Sequence, residues 1–478
     1  MKKYQQFIGG AFVEPLSGKH IEVLNPYTQE VMAQAPAGDA KDAEAALDAA
    51  AKAQPAWAAR TASDRASYLK KMAAAIRAHR VELARTLARE QSKISGLAQV
   101  EIDVTADYFD YYAGWATKYE GEVIQSDRPR ENILLYRQPI GVIVGICPWN
   151  FPFFVMARKV APSLLTGCAA IIKPSSETPC TTFEFAKLAA ETGLPAGVLN
   201  FVSGRGGTLG NALVKSPVVG MVSLTGSVEA GQQIITATAP NITKTSLELG
   251  GKAPVIVCAD ADLDLTVKAV VASRVIYSGQ VCNCAERVYV DAKIADEFLE
   301  RIAKAMRAVK YGDPFADPNP DMSCQISFEQ LEKIEAMVER AKAAGCDVVV
   351  GGKRAEDAGP GPFYLPTLLS GCKQDMEIMR QEIFGPVLPV MRVSGLDEAI
   401  ALANDCEYGL TSSIFTRDIN TMMRAINELK FGETYVNREH FEAMQGFHAG
   451  WRKSGIGGAD GKHGLHEYLQ THVAYIQY

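Results

Sequence analysis

The chain has 478 residues, 47% of them hydrophobic and 22% charged, with a formal net charge of −6. That is ample for a large buried core and too long for one ordinary domain, so two or more domains are expected. The mixed, mildly acidic balance offers no basic face, so neither a nucleic-acid partner nor a membrane partner is expected.

The opening run MKKYQQFIGGAFVEP carries two lysines but no apolar core of the signal-peptide kind, which predicts no secretory leader. Residues 1–37 alternate short strand-like runs with turns. Helical patterns follow in DAKDAEAALDAAAKAQPAW and SDRASYLKKMAAAIRAHRVELARTLAREQSK, with a further helix expected over 95–119. Near residue 120 the texture changes, and GEVIQSDRPRENILLYRQPIG reads as two strands across a turn at Asp127-Arg128-Pro129. The longest uncharged stretch, 138–157, holds Pro139, Pro148, Asn150 and Pro152 and does not read as a membrane helix. From 140 to 260 the apolar runs GVIVGICP, AAIIKP, VLNFVSG, MVSLTG and APVIVCA alternate with helices expected at 158–166, 181–193, 207–215 and 227–238. Such alternation predicts βαβ units and a parallel sheet. It resumes from 262 to 440, with ERVYVD, CDVVVGG and GPVLPVM as strands. The fold class is therefore α/β, with two parallel-sheet domains joined near 248–260. The final run GLHEYLQTHVAYIQY is apolar and β-prone, and such a strand wants a partner edge.

The ten cysteines are scattered over the whole length, unlike a disulfide framework, so a reducing cytoplasm is expected. There is no CxxC, and the seven histidines show no HExxH or other ligand spacing, so no metal is expected. In YSGQVCNCAERVYV, Cys282 and Cys284 are thus either core thiols or reactive ones, and the residues alone leave both open. On an extended chain the two would share a face.

The chain has no clean GxGxxG. Gly204-Arg205-Gly206-Gly207, and Thr225-Gly226-Ser227 with Gly231, each follow a strand and open a helix. That context suits a pyrophosphate at a helix N-terminus and equally suits a plain βα turn. In CPWNFPFF, Pro148 and Pro152 bracket Trp149-Asn150-Phe151. The loop is rigid enough to aim an amide, or is a buried apolar turn. In LELGGK, Glu248 among leucines reads as a general base or as a solvated acid at a strand end.

Taken in order, PWNFP, KPS at 173–175, TGS at 225–227, LELGGK, GQVC at 279–282, EIFGPV at 382–387 and KSGIGG at 453–458 resemble the aldehyde dehydrogenase superfamily over essentially the whole chain. SGQVCNCAERVYV and NREHFEAMQGFHAGWRKSGIGGADGKHGLHEYLQT are similar to its bacterial lactaldehyde and glycolaldehyde dehydrogenase branch. The resemblance implies that Cys282 is the nucleophile, giving a thiohemiacetal and then a thioester. Asn150 and the Cys282 N–H would stabilise the oxyanion, and Glu248 would activate the hydrolytic water. It implies Lys173 and Glu382 at the cofactor's ribose hydroxyls, Phe384 near the nicotinamide, and Trp149 beside the cofactor. Gly226 and Ser227 would lie near the pyrophosphate, Gly250 along the cofactor, and Ser176 at the adenosine ribose. Cys284 is left to packing.

The implied architecture is an NAD(P)-binding domain (1–119 and 139–247), a catalytic domain (248–446) and oligomerisation segments (120–138 and 447–478) forming a small sheet. A homo-oligomer, dimer or tetramer, follows. The implied activity is NAD(P)-dependent oxidation of a small hydroxyaldehyde, such as lactaldehyde or glycolaldehyde, to the acid. The alternatives are a succinate-semialdehyde-like dehydrogenase and a CoA-acylating dehydrogenase, against which Glu248 argues. A non-catalytic protein on this scaffold is opposed by Cys282, Asn150 and Glu248 together. Arg158, Glu442 and His448 are the candidates for a substrate hydroxyl; the competing reading is a structural ion pair. In Lys173-Pro174-Ser175-Ser176-Glu177, Ser176 stands where NAD-preferring relatives carry Glu, which predicts that NADP is accepted. NAD preference would return if Glu177 swings in.

Overall fold

The computed structural model describes residues 1–478, and four sheets organise it. The largest has eight strands in the order Gly455–Ile456, Lys244–Glu248, Val219–Thr225, Val142–Ile146, Ala169–Lys173, Leu199–Phe201, Gln6–Ile8, Ala11–Val13. Its five central strands, from Lys244–Glu248 to Leu199–Phe201, run parallel. A seven-stranded sheet follows the order Asp347–Val350, Thr367–Ser370, Val387–Val393, Arg287–Asp291, Pro254–Val257, Thr411–Phe415, Glu433–Val436.

Helices cover both faces of both sheets, which is why their central strands read as nearly continuous apolar runs. Successive strand residues feed opposite cores. In the seven-stranded sheet, Ile256, Tyr289 and Ile414 join one apolar cluster, while Val255, Val257, Val288 and Phe415 join the other. The alternation fixes the register, because a one-residue slip would exchange the two faces.

The expected hairpin is present as Glu122–Gln125 and Glu131–Pro139, and the terminal strand Leu469–Gln477 pairs antiparallel with the second of these. The helix Pro152–Thr166 begins on a proline at its first turn and ends at Gly167 with φ +95°, a left-handed stop that favours glycine.

Several expectations need correction. The long pattern after residue 62 is two helices, Ala62–Ala78 and Arg80–Gln91, broken at His79. The break lets Leu69, Met72 and Ile76 of one, and Leu83 and Leu87 of the other, face the same core. The helix expected at 207–215 is a wide turn at Gly206–Gly210 followed by the single turn Asn211–Val214. Strands Thr367–Ser370, Thr411–Phe415 and Glu433–Val436 were not expected. The last two carry serine, threonine or glutamate where a buried strand is read from apolar residues.

One arrangement positions everything that follows. PWNFP, KPS, TGS and LELGGK all lie where parallel strands of the eight-stranded sheet end, at Ile146, Lys173, Thr225 and Glu248. The carboxyl edge of such a sheet is where ligands bind.

Candidate active site

A cavity of about 770 Å³ opens at that edge. Its lining brings together all fourteen singled-out side chains: Trp149, Asn150, Arg158, Lys173, Ser176, Gly226, Ser227, Glu248, Gly250, Cys282, Glu382, Phe384, Glu442 and His448. The Gly204-Arg205-Gly206-Gly207 turn does not line it; Gly204 packs against the Gly38 carbonyl, which a Cβ would approach to 2.3 Å.

The Asn150 loop is held from below. Gln91 Nε2 donates to the carbonyls of Trp149 (2.5 Å) and Asn150 (2.7 Å), and Lys93 Nζ donates to the Asn150 carbonyl at 2.8 Å. Lys93 also stands 3.5 Å from the centre of the Phe151 ring and pairs with Glu101 at 2.5 Å. Glu101 in turn accepts from the N–H groups of Phe153 and Phe154 at 3.1 and 3.2 Å, satisfying the first turn of the helix that begins at Pro152. With its backbone so fixed, Asn150 aims its amide at the Cys282 loop, donating to the Gln280 carbonyl at 3.0 Å. One N–H remains for an oxyanion.

Cys282 sits in a loop held by buried Arg274, which donates to the carbonyls of Gly279 (2.6 Å) and Ala285 (2.7 Å). Tyr277 and Ser278, at φ +44° and +55°, turn the chain sharply into the loop. The chain is turned rather than extended at 282–284, so the two thiols do not share a face. Cys282 is half-buried on the cavity wall. Cys284 is 1% exposed, its Sγ lies 2.9 Å from the Val281 carbonyl, and burial pushes its thiol up to about 12. Burial raises the Cys282 thiol too, with His448 pulling it back down.

Glu248 is buried rather than solvated. Burial raises its carboxyl, while His448 and Arg158 oppose the shift. One oxygen meets His448 Nε2 at 3.2 Å; the other, Oε1, has no protein partner and is free for a water. The Gly250-Gly251 pair after it is required by close approach: a Cβ on Gly250 would stand 2.5 Å from Glu382 Oε2, and one on Gly251 would stand 2.8 Å from the Cys282 carbonyl.

Arg158 is clamped on two sides. Its Nε and Nη2 donate to Asp460 at 3.1 and 2.6 Å, and Nη2 also donates to Glu442 at 2.8 Å. Glu442 accepts from Asn283 Nδ2 at 2.5 Å as well. The ion pair is therefore real and also faces the cavity, so the two readings of these residues coincide in one place.

At the other end, Lys173 is buried with a single acceptor, the Pro174 carbonyl at 3.3 Å, and burial lowers its ammonium. Ser227 caps the helix Val228–Thr238 by accepting from Ala230 N at 3.2 Å. Glu382 accepts from Gly251 N at 2.8 Å, and burial, with Glu286 nearby, pushes it up to about 7. The Phe384 ring meets Trp149 edge-on at 5.4 Å between centres. Glu286 ties this wall to the Cys282 loop: it pairs with Lys252 and Arg274, both at 2.8 Å, and accepts from Ile383 N at 2.9 Å. A buried ammonium short of acceptors, a capped helix N-terminus and a carboxyl poised near neutrality together fit a nicotinamide dinucleotide. Ser176 and Glu177 both line the cavity, so the carboxylate that would restore NAD preference stands on the same wall.

Sequence reading missed Gln91, Lys93, Glu101, Arg274, Glu286, Glu433 and Asp460. Most lie within helical or loop runs where a charged residue reads as solvated, and no local signal marks them.

The aldehyde dehydrogenase family model matches residues 12–474. The chain is 56% identical to lactaldehyde dehydrogenase of Escherichia coli over 99% of both chains. The crystal structure of lactaldehyde dehydrogenase from that organism superposes with a TM-score of 0.98, covering 100% of this chain and 99% of that one. A structure of 3,6-anhydro-L-galactose dehydrogenase in complex with NAP is 42% identical, with a TM-score of 0.97 and full coverage of both chains. The NADP-dependent succinate-semialdehyde dehydrogenase of Escherichia coli is 35% identical over 98% of this chain and 96% of its own length.

Proposed function

The chain belongs to the aldehyde dehydrogenase family, and we propose that it oxidises a small hydroxylated aldehyde, such as lactaldehyde or glycolaldehyde, to the carboxylic acid. The observation that carries this reading is the clamped Arg158. Asp460 and Glu442 occupy Nε and Nη2, so Nη1 is the donor left for a substrate hydroxyl in the cavity that holds Cys282. Glu442 and His448 add polar partners beside it. A site built to bond a hydroxyl penalises substrates that lack one.

Two carboxylates against one guanidinium leave this corner short of net positive charge, which disfavours the carboxylate that a semialdehyde acid carries besides its aldehyde. Glu248, with an oxygen free for water, favours hydrolysis over transfer to a CoA thiol.

In the proposed chemistry the Cys282 sulfur attacks the aldehyde carbon. The Asn150 amide and the Cys282 N–H receive the developing oxyanion. Lys173 and Glu382 would hold ribose hydroxyls, with Gly226, Ser227 and Gly250 along the pyrophosphate and Trp149 and Phe384 beside the nicotinamide. Bound there, NAD or NADP supplies the hydride acceptor that takes the thiohemiacetal to the thioester. Glu248 then takes a proton from water as the oxygen adds to the acyl carbon, and the C–S bond breaks to restore Cys282.

We further propose acceptance of NADP, because Ser176 presents a hydroxyl rather than a carboxylate to a 2′-phosphate. Glu177 on the same cavity wall is the competing influence. The first sheet, with 1–119 and 139–247, is read as the cofactor domain and 248–446 as the catalytic domain. The segments 120–138 and 447–478 are read as oligomerisation segments of a dimer or tetramer, supported by exposed Val123, Tyr475 and Ile476 on the three-stranded sheet. Ten free cysteines support a reducing cytoplasm. No helix is long and apolar enough to cross a membrane.

The test is kcat/KM for glycolaldehyde, lactaldehyde, propanal and octanal with each dinucleotide. The hydroxyaldehydes should lead; octanal ahead of glycolaldehyde would sink the substrate reading.

A further inference from the structure

The polar corner of the cavity contains a residue pair that the chemistry above leaves unused. His448 Nδ1 meets Glu433 Oε1 at 2.6 Å, while Nε2 faces Glu248 at 3.2 Å in the cavity that also holds Cys282. The histidine is fixed by its backbone, which exchanges hydrogen bonds with Ala459 in both directions at 2.9 and 2.8 Å. Glu433 does not line the cavity. It begins the edge strand Glu433–Val436, and its other oxygen accepts from the Tyr435 hydroxyl. A carboxylate on one ring nitrogen sets the charge and orientation of the ring and leaves the other nitrogen to the reacting groups.

The charged groups around His448 come from every neighbouring element. Glu248 reaches it from the first sheet, Cys282 from its loop, and Glu442 and Asp460 from the C-terminal segments, while Arg158 and Lys159 of the helix Pro152–Thr166 act on Glu248. Glu433 completes the set. Four carboxylates surround the ring against the cations of Arg158 and Lys159, and although burial alone would strip the ring of its proton, Glu248 and Glu433 reverse that and hold it well above the ordinary imidazole range.

We propose that Glu433 and His448 form a charge-positioning pair, in which Glu433 holds His448 as a fixed imidazolium and that cation stabilises the Cys282 thiolate while keeping Glu248 ionised. When the S–H bond ionises, its proton leaves to cavity water; the ring keeps its own proton and serves as the counter-charge. Glu433 thus tunes the nucleophile without touching substrate. The proposal rests on the reading of Cys282 as the nucleophile and gives His448 a role beyond the substrate hydroxyl.

The experiment is alkylation of the full-length enzyme by iodoacetamide across pH, with no aldehyde or cofactor present, followed on the Cys282 peptide by mass spectrometry. Glu433→Gln keeps an oxygen for Nδ1–H and removes only the charge. It should move the midpoint of Cys282 alkylation upward, slowing the reaction near neutrality by about tenfold, the scale on which a neighbouring cation changes a thiol. Glu433→Asp should restore much of the wild-type profile, and His448→Asn should shift it at least as far as Glu433→Gln, which keeps the proposal testable if one variant folds poorly. Profiles superposing on wild type in both Glu433→Gln and His448→Asn would overturn it. Steady-state kinetics separate the two roles. An equal loss with lactaldehyde and propanal in Glu433→Gln supports the pair. A loss confined to hydroxyaldehydes refutes it and leaves the substrate reading standing. Wild-type preference for octanal alongside a shifted alkylation profile would do the reverse.

Discussion

The two walls of the cavity are built by different means. The carboxyl edge of the eight-stranded sheet sets its functional groups by backbone: Pro148 and Pro152 around Asn150, the Gly250-Gly251 pair after Glu248, and the capped turn at Ser227. The opposite wall, over 437–460, has almost no regular structure, and its groups are set by charge: Asp460 and Glu442 against Arg158 of the helix Pro152–Thr166, and His448 between Glu248 and Glu433. On the first wall the buried Lys93–Glu101 pair beneath Asn150 is the one charge support, and it holds backbone rather than a reacting group. Charge placement couples every member, because removing one partner leaves another buried and unpaired.

Substitutions on the two walls should therefore behave differently. Cys282→Ala should lower turnover by on the order of 10⁴-fold or more while dinucleotide binding, followed by fluorescence titration, survives; Cys284→Ala, a packing change, should keep most of the activity. The reverse pattern would reassign the nucleophile. Glu248→Gln should slow steady-state turnover by about 10²–10⁴-fold yet still give a burst of reduced cofactor in stopped flow, since hydride leaves before water is activated. Absence of the burst would place Glu248 earlier in the cycle.

On the charge-set wall, Asp460→Asn should cost roughly 10–10²-fold in kcat/KM for lactaldehyde and distinctly less for propanal, because only the hydroxyl contact depends on the Arg158 clamp. Equal losses would mean that Asp460 supports the whole site. A pH effect tests the cofactor end. Glu382 is raised to about 7 by burial, so it is neutral below that pH and becomes a charged, stronger acceptor above it. Cofactor affinity should tighten as pH rises through neutrality, and Glu382→Gln should flatten the profile. The smallest effect is expected from Ser176→Glu, a shift of roughly tenfold toward NAD measured as the ratio of the two kcat/KM values. An unchanged ratio would point to Glu177.

The difference between the walls also decided what could be read in the sequence. The α/β class, the hairpin over 122–139, the terminal strand and the motif-bearing turns were legible because proline, glycine and apolar runs act locally. Asn150 and Glu248 were ambiguous alone and gained meaning only from the order of the motifs around them. Lys93 and Glu101 were not legible at all: each looks like any surface charge near a helix end or within a helix, and only the fold buries both against Asn150 and Phe153. Glu433 was hidden for the same reason, lying in a strand too polar to be expected. The chain at Cys282 and Cys284 is not extended because Arg274, upstream, draws the flanking Gly279 and Ala285 carbonyls inward.

The short strand Gly455–Ile456 pairs with Leu247 and Glu248, Ser454 Oγ donates to the Gly250 carbonyl at 2.8 Å, and Leu249 N donates to the Ser454 carbonyl at 2.8 Å. The turn that carries Glu248 is therefore closed by residues made some two hundred positions later. On a ribosome, where domains fold as they emerge, both large sheets can form while this turn still lacks its final support. The electrophile-binding pocket is thus the last part to be finished, and a stalled or clipped chain ending before residue 454 would carry a cysteine loop without the neighbours that ready it for aldehydes.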